Sequence, residues 1–358
     1  MDYRNIINEQ LESMNLEALE ELAGRGNMLF LNDLSVSEII SRLIEGKPLF
    51  NFDSITESII NLFFKEFSSS VSLGIQIIAV CIIMALMTHL CSAFGSSAAS
   101  SIGMMVCSCT VVAMCLFNFR DIYSLCENSV TNMATFMQVL IPVLLPLILS
   151  MGGFSSGGIL SPAIISSVTI FTTLIQKIIL PLLFFSCIFI LGNSLADRDY
   201  VKKLAVLLRS AAGFIIGFSV TLFSGLTAIQ SLVTKSADGM LIKTAKFSVD
   251  NLIPIVGSFA ADSLDMVLSC TAIIKNSIGI FGLIVIILLL MFPLIQILCV
   301  ALVYKITATL VEPIGNKVIA DCLNEMGNTV IVLAVMLFLC AVLFIIFISI
   351  LISIGIAL

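Results

Sequence analysis

The stretch 331–358 carries no charged residue, and neither does 278–304. Each is longer than the roughly 20 apolar residues an α-helix needs to cross a hydrocarbon core. A water-facing helix of that length would show a polar face, and these do not. Charged residues make up 11% of the 358 and hydrophobic ones 59%, where soluble domains run near a quarter charged. The polar surface for a water-soluble globule is missing. The expected fold is all-α: a polytopic helical membrane protein with a small helical N-terminal extramembrane region.

Charge is unevenly spread. Residues 1–70 hold 12 of the 23 acidic and 5 of the 17 basic residues, a local net charge of −7, leaving the remainder near neutral. Leu11, Leu16, Leu19 and Leu22 recur at helical spacing among glutamates. A second helix is expected over 35–44, capped by Ser35 with Glu38 three residues on. No cationic, apolar signal peptide precedes them, so either the chain is already processed or its first helix acts as the insertion signal.

Spans are expected at 71–93 and 98–117, the second rich in small residues that let helices approach closely. A polar loop with Arg120, Asp121 and Glu127 should follow, closing a hairpin unit over 71–132. The main transmembrane domain then covers 133–358, opening with a span at 133–151 kinked by Pro142 and Pro146. After a glycine-rich connector comes 161–193, too long for one perpendicular span and carrying Gln176-Lys177 before Pro181. Either a tilted long helix or a broken, re-entrant one accounts for it. The positive cluster Arg198, Lys202, Lys203 and Arg209 should face the cytoplasm. Further spans are expected at 210–230, 278–303 and 329–358, with 252–274 in or on the membrane. Asp262 and Asp265, three apart, share a helical face there. With Gln176 and Lys177 they are candidate pathway residues, because intramembrane ionisable groups are costly without a function or a partner. If the acidic N-terminus is outside, four crossings would put the positive cluster outside too, a conflict that a hairpin at 161–193 or an inside start removes.

Catalytic chemistry finds little footing. The eleven cysteines lie mostly in apolar runs, and Cys107-x-Cys109 lacks zinc-site spacing. One histidine, His89, and no G-x-S-x-G or Walker loop argue against hydrolases and nucleotide hydrolysis. No enzyme activity, metal, cofactor or nucleic-acid partner is expected; the lipid bilayer is.

An offset of 112 residues aligns Leu140-Ile141-Pro142 with Leu252-Ile253-Pro254, Pro181-Leu182 with Pro293-Leu294, and Cys187 with Cys299. Halves 134–245 and 246–357 would then form two three-segment repeats of inverted topology, the arrangement of many secondary transporters.

Lys243-Thr244-Ala245-Lys246-Phe247-Ser248-Val249-Asp250-Asn251, followed by Ile253-Pro254-Ile255-Val256-Gly257, resembles the signature stretch of the stage III sporulation protein AE family. Lys275-Asn276, Pro293, Tyr304-Lys305, Pro313, Met151-Gly152-Gly153 and Leu160-Ser161-Pro162 fit the same pattern. The signal peptide usual in that family is not seen. The resemblance implies a membrane subunit of a secretion-like channel complex, required for endospore development. It would sit in the mother-cell membrane surrounding the forespore, with other proteins of the same stage III operon and a forespore-side partner, stage II sporulation protein Q. Its acidic N-terminal region would project into the intermembrane space. A secondary transporter or permease for a small solute is the competing reading.

Overall fold

The computed structural model describes residues 36–47, 52–93, 97–151, 153, 158, 161–195, 201–252, 257–314 and 317–354, with the side chains of 52–55, 91–93, 97–100, 235, 237–252 and 257–267 left aside. The expected helix through Leu11 to Leu22 lies outside these residues. All described regular structure is helical, and six helices are long and apolar enough to cross a membrane.

α1 (Val36–Ile44) places Val36, Ile39 and Ile40 on one face, and all three are buried. It packs against α6 (Gly257–Val311), so this part of the acidic region is docked on the bundle. The expected helix is present, while its Ser35 cap lies outside the described residues.

α2 (Phe52–Ala93) runs without a break through residue 70 and into the first apolar span. α3 (Ser97–Ser150) is one helix of 54 residues, and this corrects the expected loop at Arg120, Asp121 and Glu127. The reason is visible in the spacing. Phe119, Ile122, Cys126, Val130 and Met133 fall three or four apart and are buried, so the polar residues between them form the outer face of an amphipathic helix. Pro142 and Pro146 lie inside α3 without ending it.

α4 occupies Ser161–Asn193 continuously, as Ser161–Leu174, a π-helical turn Ile175–Ile179, and Leu180–Asn193. Of the two readings of this segment, the unbroken rod is the one observed. The wide turn has a local cause: Pro181 lacks an N–H and its ring crowds the carbonyl four residues back. The Leu180 N–H bonds the Ile175 carbonyl, widening the helix there.

α5 (Lys202–Leu252), α6 and α7 (Lys317–Ser353) complete the bundle, with a 3-10 turn Glu312–Ile314 after α6. α6 and α7 form an antiparallel pair at its centre. Their register is set at both ends: Lys305 of α6 meets Asn324 and Asn328 of α7, and Lys275 meets the Ile352 and Ile354 carbonyls. Glycines permit the closest approaches. A Cβ on Gly74 would come within 2.7 Å of Thr307 Oγ1, and one on Gly282 within 2.5 Å of Leu140 Cδ2.

Because 97–150 is one helix, three long helices rather than four precede the 196–200 connection. Successive helices alternate in direction, so the start of α2 and the Lys202–Arg209 turns point to opposite faces, and the counting conflict disappears. α4 and α6 run the same way: Cys187 and Lys305 both lie level with Met326 and its neighbours, while Thr169 and Gly282 both lie level with Gln138 and Leu140. A duplication matching 161–193 to 273–305 therefore relates parallel helices.

Candidate functional site: a polar belt and a charged seam

α7 builds the belt. Its first turns carry Asp321, Asn324, Glu325 and Asn328 at helical spacing, reaching two neighbouring helices. Arg209 of α5 bonds Glu325 Oε2 at 2.7 Å and the Glu325 carbonyl at 3.2 Å, with the two side chains only 13% and 18% exposed. Lys202 approaches Asp321 at 3.7 Å nearer the surface. Lys305 of α6 donates to Asn324 Oδ1 at 2.6 Å and to Asn328 Oδ1 at 2.5 Å. Its stem lies over Gly327, where a Cβ would stand 3.2–3.3 Å from three of its carbons. The buried Tyr304 hydroxyl donates to Asn118 Oδ1 of α3 at 2.9 Å. A cleft of about 170 Å³ opens above the belt between Asn193, Lys202, Lys317, Asp321 and Glu325.

The belt separates two apolar layers. Below it, α6 has no charge between Lys275 and Lys305 and α7 has none after Glu325, while α2 carries Lys65 and Glu66 next to Phe63, which lies level with Cys299. Above it rises the α2–α3 hairpin; no Asp, Glu, Lys or Arg occurs from residue 67 to 119. Ile82, Ile83, Leu86, Ile102, Met105 and Val106 are exposed on the hairpin. A 54-residue helix is about 80 Å long, against roughly 30 Å of hydrocarbon. One bilayer covers only one of these layers.

In the lower layer two sides differ. α5 presents Phe214, Phe218, Leu222, Leu226 and Ile229 outward, Phe214 being 73% exposed, a surface suited to lipid. The seam between α3 and α4 is polar. Gln176 donates to Thr131 Oγ1 at 2.9 Å, and Gln138 to Thr169 Oγ1 at 3.3 Å. Beside these rungs Lys177 is exposed and Glu127 half-buried. Glu127 stands nine residues below Asn118, and Lys177 ten below Cys187, which lies at belt level. Both charges therefore lie about 15 Å below the belt. Among the described residues neither forms an ion pair.

The expected site residues are only partly brought together. Gln176 and Lys177 lie on the seam. Asp262 and Asp265 belong to the first turns of α6, some 30 residues before the seam's depth on that helix, so the helical rise sets them on the order of 45 Å away. The four do not form one site; the aspartate side chains lie outside the described residues. Of the positive cluster, Lys202 and Arg209 join the belt, Lys203 is exposed, and Arg198 is outside the described residues. Lys243, Thr244, Lys246, Asp250 and Asn251 continue α5 by backbone, Gly257 opens α6, and Pro254 lies outside the described residues. Sequence reasoning missed the partners Asn118, Asn324, Glu325 and Asn328. Their signal was the spacing of Asp321, Asn324, Glu325 and Asn328, which fall close together on a helix. Cys81, Cys115, Cys126, Cys187, Cys322 and Cys340 are unpaired and buried as small packing groups.

A family model described as stage III sporulation protein AE matches residues 34–355. The chain belongs to that family. It is 28% identical over 316 residues to the stage III sporulation protein AE of Bacillus subtilis (strain 168), an alignment covering 88% of this chain and 79% of that protein. No solved structure matches it. Membership gives this multi-pass membrane protein a role in sporulation.

Proposed function

We propose that the protein is a membrane subunit of a secretion-like channel complex linking mother cell and forespore, needed for endospore development. The observation that supports this reading is the asymmetry of the lower layer, lipid-suited along α5 and charged along the α3–α4 seam. A self-sufficient membrane protein turns its charges inward, because each lipid-facing charge costs several kcal/mol at the least (about 2.5 or more). A wall element of an assembly has one side for lipid and one for protein or water. On this reading the chain lies in the mother-cell membrane around the forespore. The positive-inside rule puts Lys202, Lys203 and Arg209 in the cytoplasm, and the alternation of the helices then sends residues before Phe52 to the intermembrane space. The partners are other stage III operon membrane proteins and, through them, a forespore-side protein.

Affinity capture of a tagged chain from sporulating cells tests this. The proposal expects the other operon membrane proteins in the captured material and a block in late forespore gene expression when the chain is deleted. Capture of the chain alone, with normal spores after deletion, would overturn it. A secondary transporter is the runner-up, favoured by the π turn at Gln176-Lys177, since such turns recur at functional sites. Solute flux in liposomes holding only this chain would favour it.

A further inference from the structure

We propose that the α3–α4 seam is the interface of a homodimer, in which Glu127 of each copy pairs with Lys177 of the other about a two-fold axis along the membrane normal. Three observations lead there. First, Glu127 and Lys177 carry opposite charge, lie on adjoining helices, and form no ion pair within the described chain. Second, they lie at the same depth. Nine residues separate Glu127 from Asn118 and ten separate Lys177 from Cys187, and both reference residues lie at the belt. A two-fold axis along the normal preserves depth, so one passing between the two charges brings each charge of one copy opposite its complement on the other, the reciprocal pattern of an isologous contact. Third, neither charge has an escape. The belt is about 15 Å away, beyond the reach of a lysine side chain, so snorkelling does not return the ammonium to water.

The rungs Gln176–Thr131 and Gln138–Thr169 extend the same face below the charges. They hold the two helices together; the threonine hydroxyls also donate to the Glu127 and Ile165 carbonyls of their own helices, which leaves the Gln176 and Gln138 amide carbonyls for the second copy. A seam with one acid and one base at equal depth is neutral and self-complementary. A different subunit would need no such balance on this chain alone.

The proposal rests on the membrane-subunit reading with the bilayer around the lower layer, which puts the seam at lipid depth. Its test is co-capture of two differently tagged full-length chains co-expressed in membranes. Wild-type copies should capture each other. Glu127→Lys copies should capture themselves at least about tenfold less, since like charges then meet twice, and Lys177→Glu copies likewise. A Glu127→Lys copy and a Lys177→Glu copy should capture each other at the wild-type level, because one contact is intact and the other merely reversed. That mixed pair also shows that both variants fold. Wild-type copies that never co-capture would overturn the dimer, leaving the seam to water or another subunit. So would a mixed pair no better than the self-pairs, as expected if Glu127 and Lys177 close on each other within one chain. Monomeric protein in cells that still sporulate, with the operon partners captured, would end the dimer and leave the channel subunit standing.

Discussion

At the scale of single residues the belt is held by a few exchanges that leave little slack. Arg209 and Glu325 are mostly buried and bonded at 2.7 Å. Removing one partner leaves the other charge stranded, so Arg209→Ala should destabilise by about 3 kcal/mol. Arg209→Met with Glu325→Leu should recover most of that, because an apolar pair strands nothing. Thermal unfolding of the single and double variants in detergent measures the difference; equal losses would show the pair matters for packing and not for charge. Lys275 caps the far end of α7 by donating to the Ile352 carbonyl and to that of Ile354 just past the helix. Lys275→Met should lower stability by about 1–3 kcal/mol and raise hydrogen exchange in the last turn of α7, with the belt unaffected. Little of this was legible in advance. Lys275, Tyr304 and Lys305 stood out only as part of a resemblance. Their partners, the Ile352 and Ile354 carbonyls, Asn118, and Asn324 with Asn328, come from other segments of the chain, and periodicity says which residues share a helix face without saying what that face meets.

Among the elements, α4 and α3 show opposite outcomes. The length of 161–193 and the polar pair at 176–177 announced an irregularity, and Pro181 supplied its position. The π turn follows from Pro181, so Pro181→Ala should let α4 close to regular α-helix and rotate Ser161–Leu174 by about 100°, one residue's worth of twist. Disulfide trapping between Thr131→Cys and Gln176→Cys checks this. It should be efficient with Pro181 and fall sharply with alanine; undiminished trapping would mean another residue holds the turn. For α3 the reading went astray, because a run of polar residues between two apolar stretches looks like a loop when only mean polarity is weighed. The buried series Phe119, Ile122, Cys126, Val130 and Met133 was present in the sequence, and its period of three and four was the stronger signal.

For the whole molecule, helical class and membrane residence were legible because they depend on composition and run length alone. The stacking of two apolar layers was not, because it depends on the continuity of α3 and on the Tyr304–Asn118 register. The charged seam, and the dimer proposed on it, depend on that continuity. If α3 were two helices with a loop at Arg120–Glu127, Glu127 would return to the surface and the seam would lose its acid.

The direct test is a distance. Spin labels at Met105 and Gln138, both exposed on α3, should be about 50 Å apart in the reconstituted protein, the rise of one unbroken helix over that interval. A hairpin turning near residue 125 would fold the labels back to within roughly 20 Å, given the 8–10 Å spacing of packed helices. The longer distance is what the account predicts; the shorter one would contradict it and the seam with it.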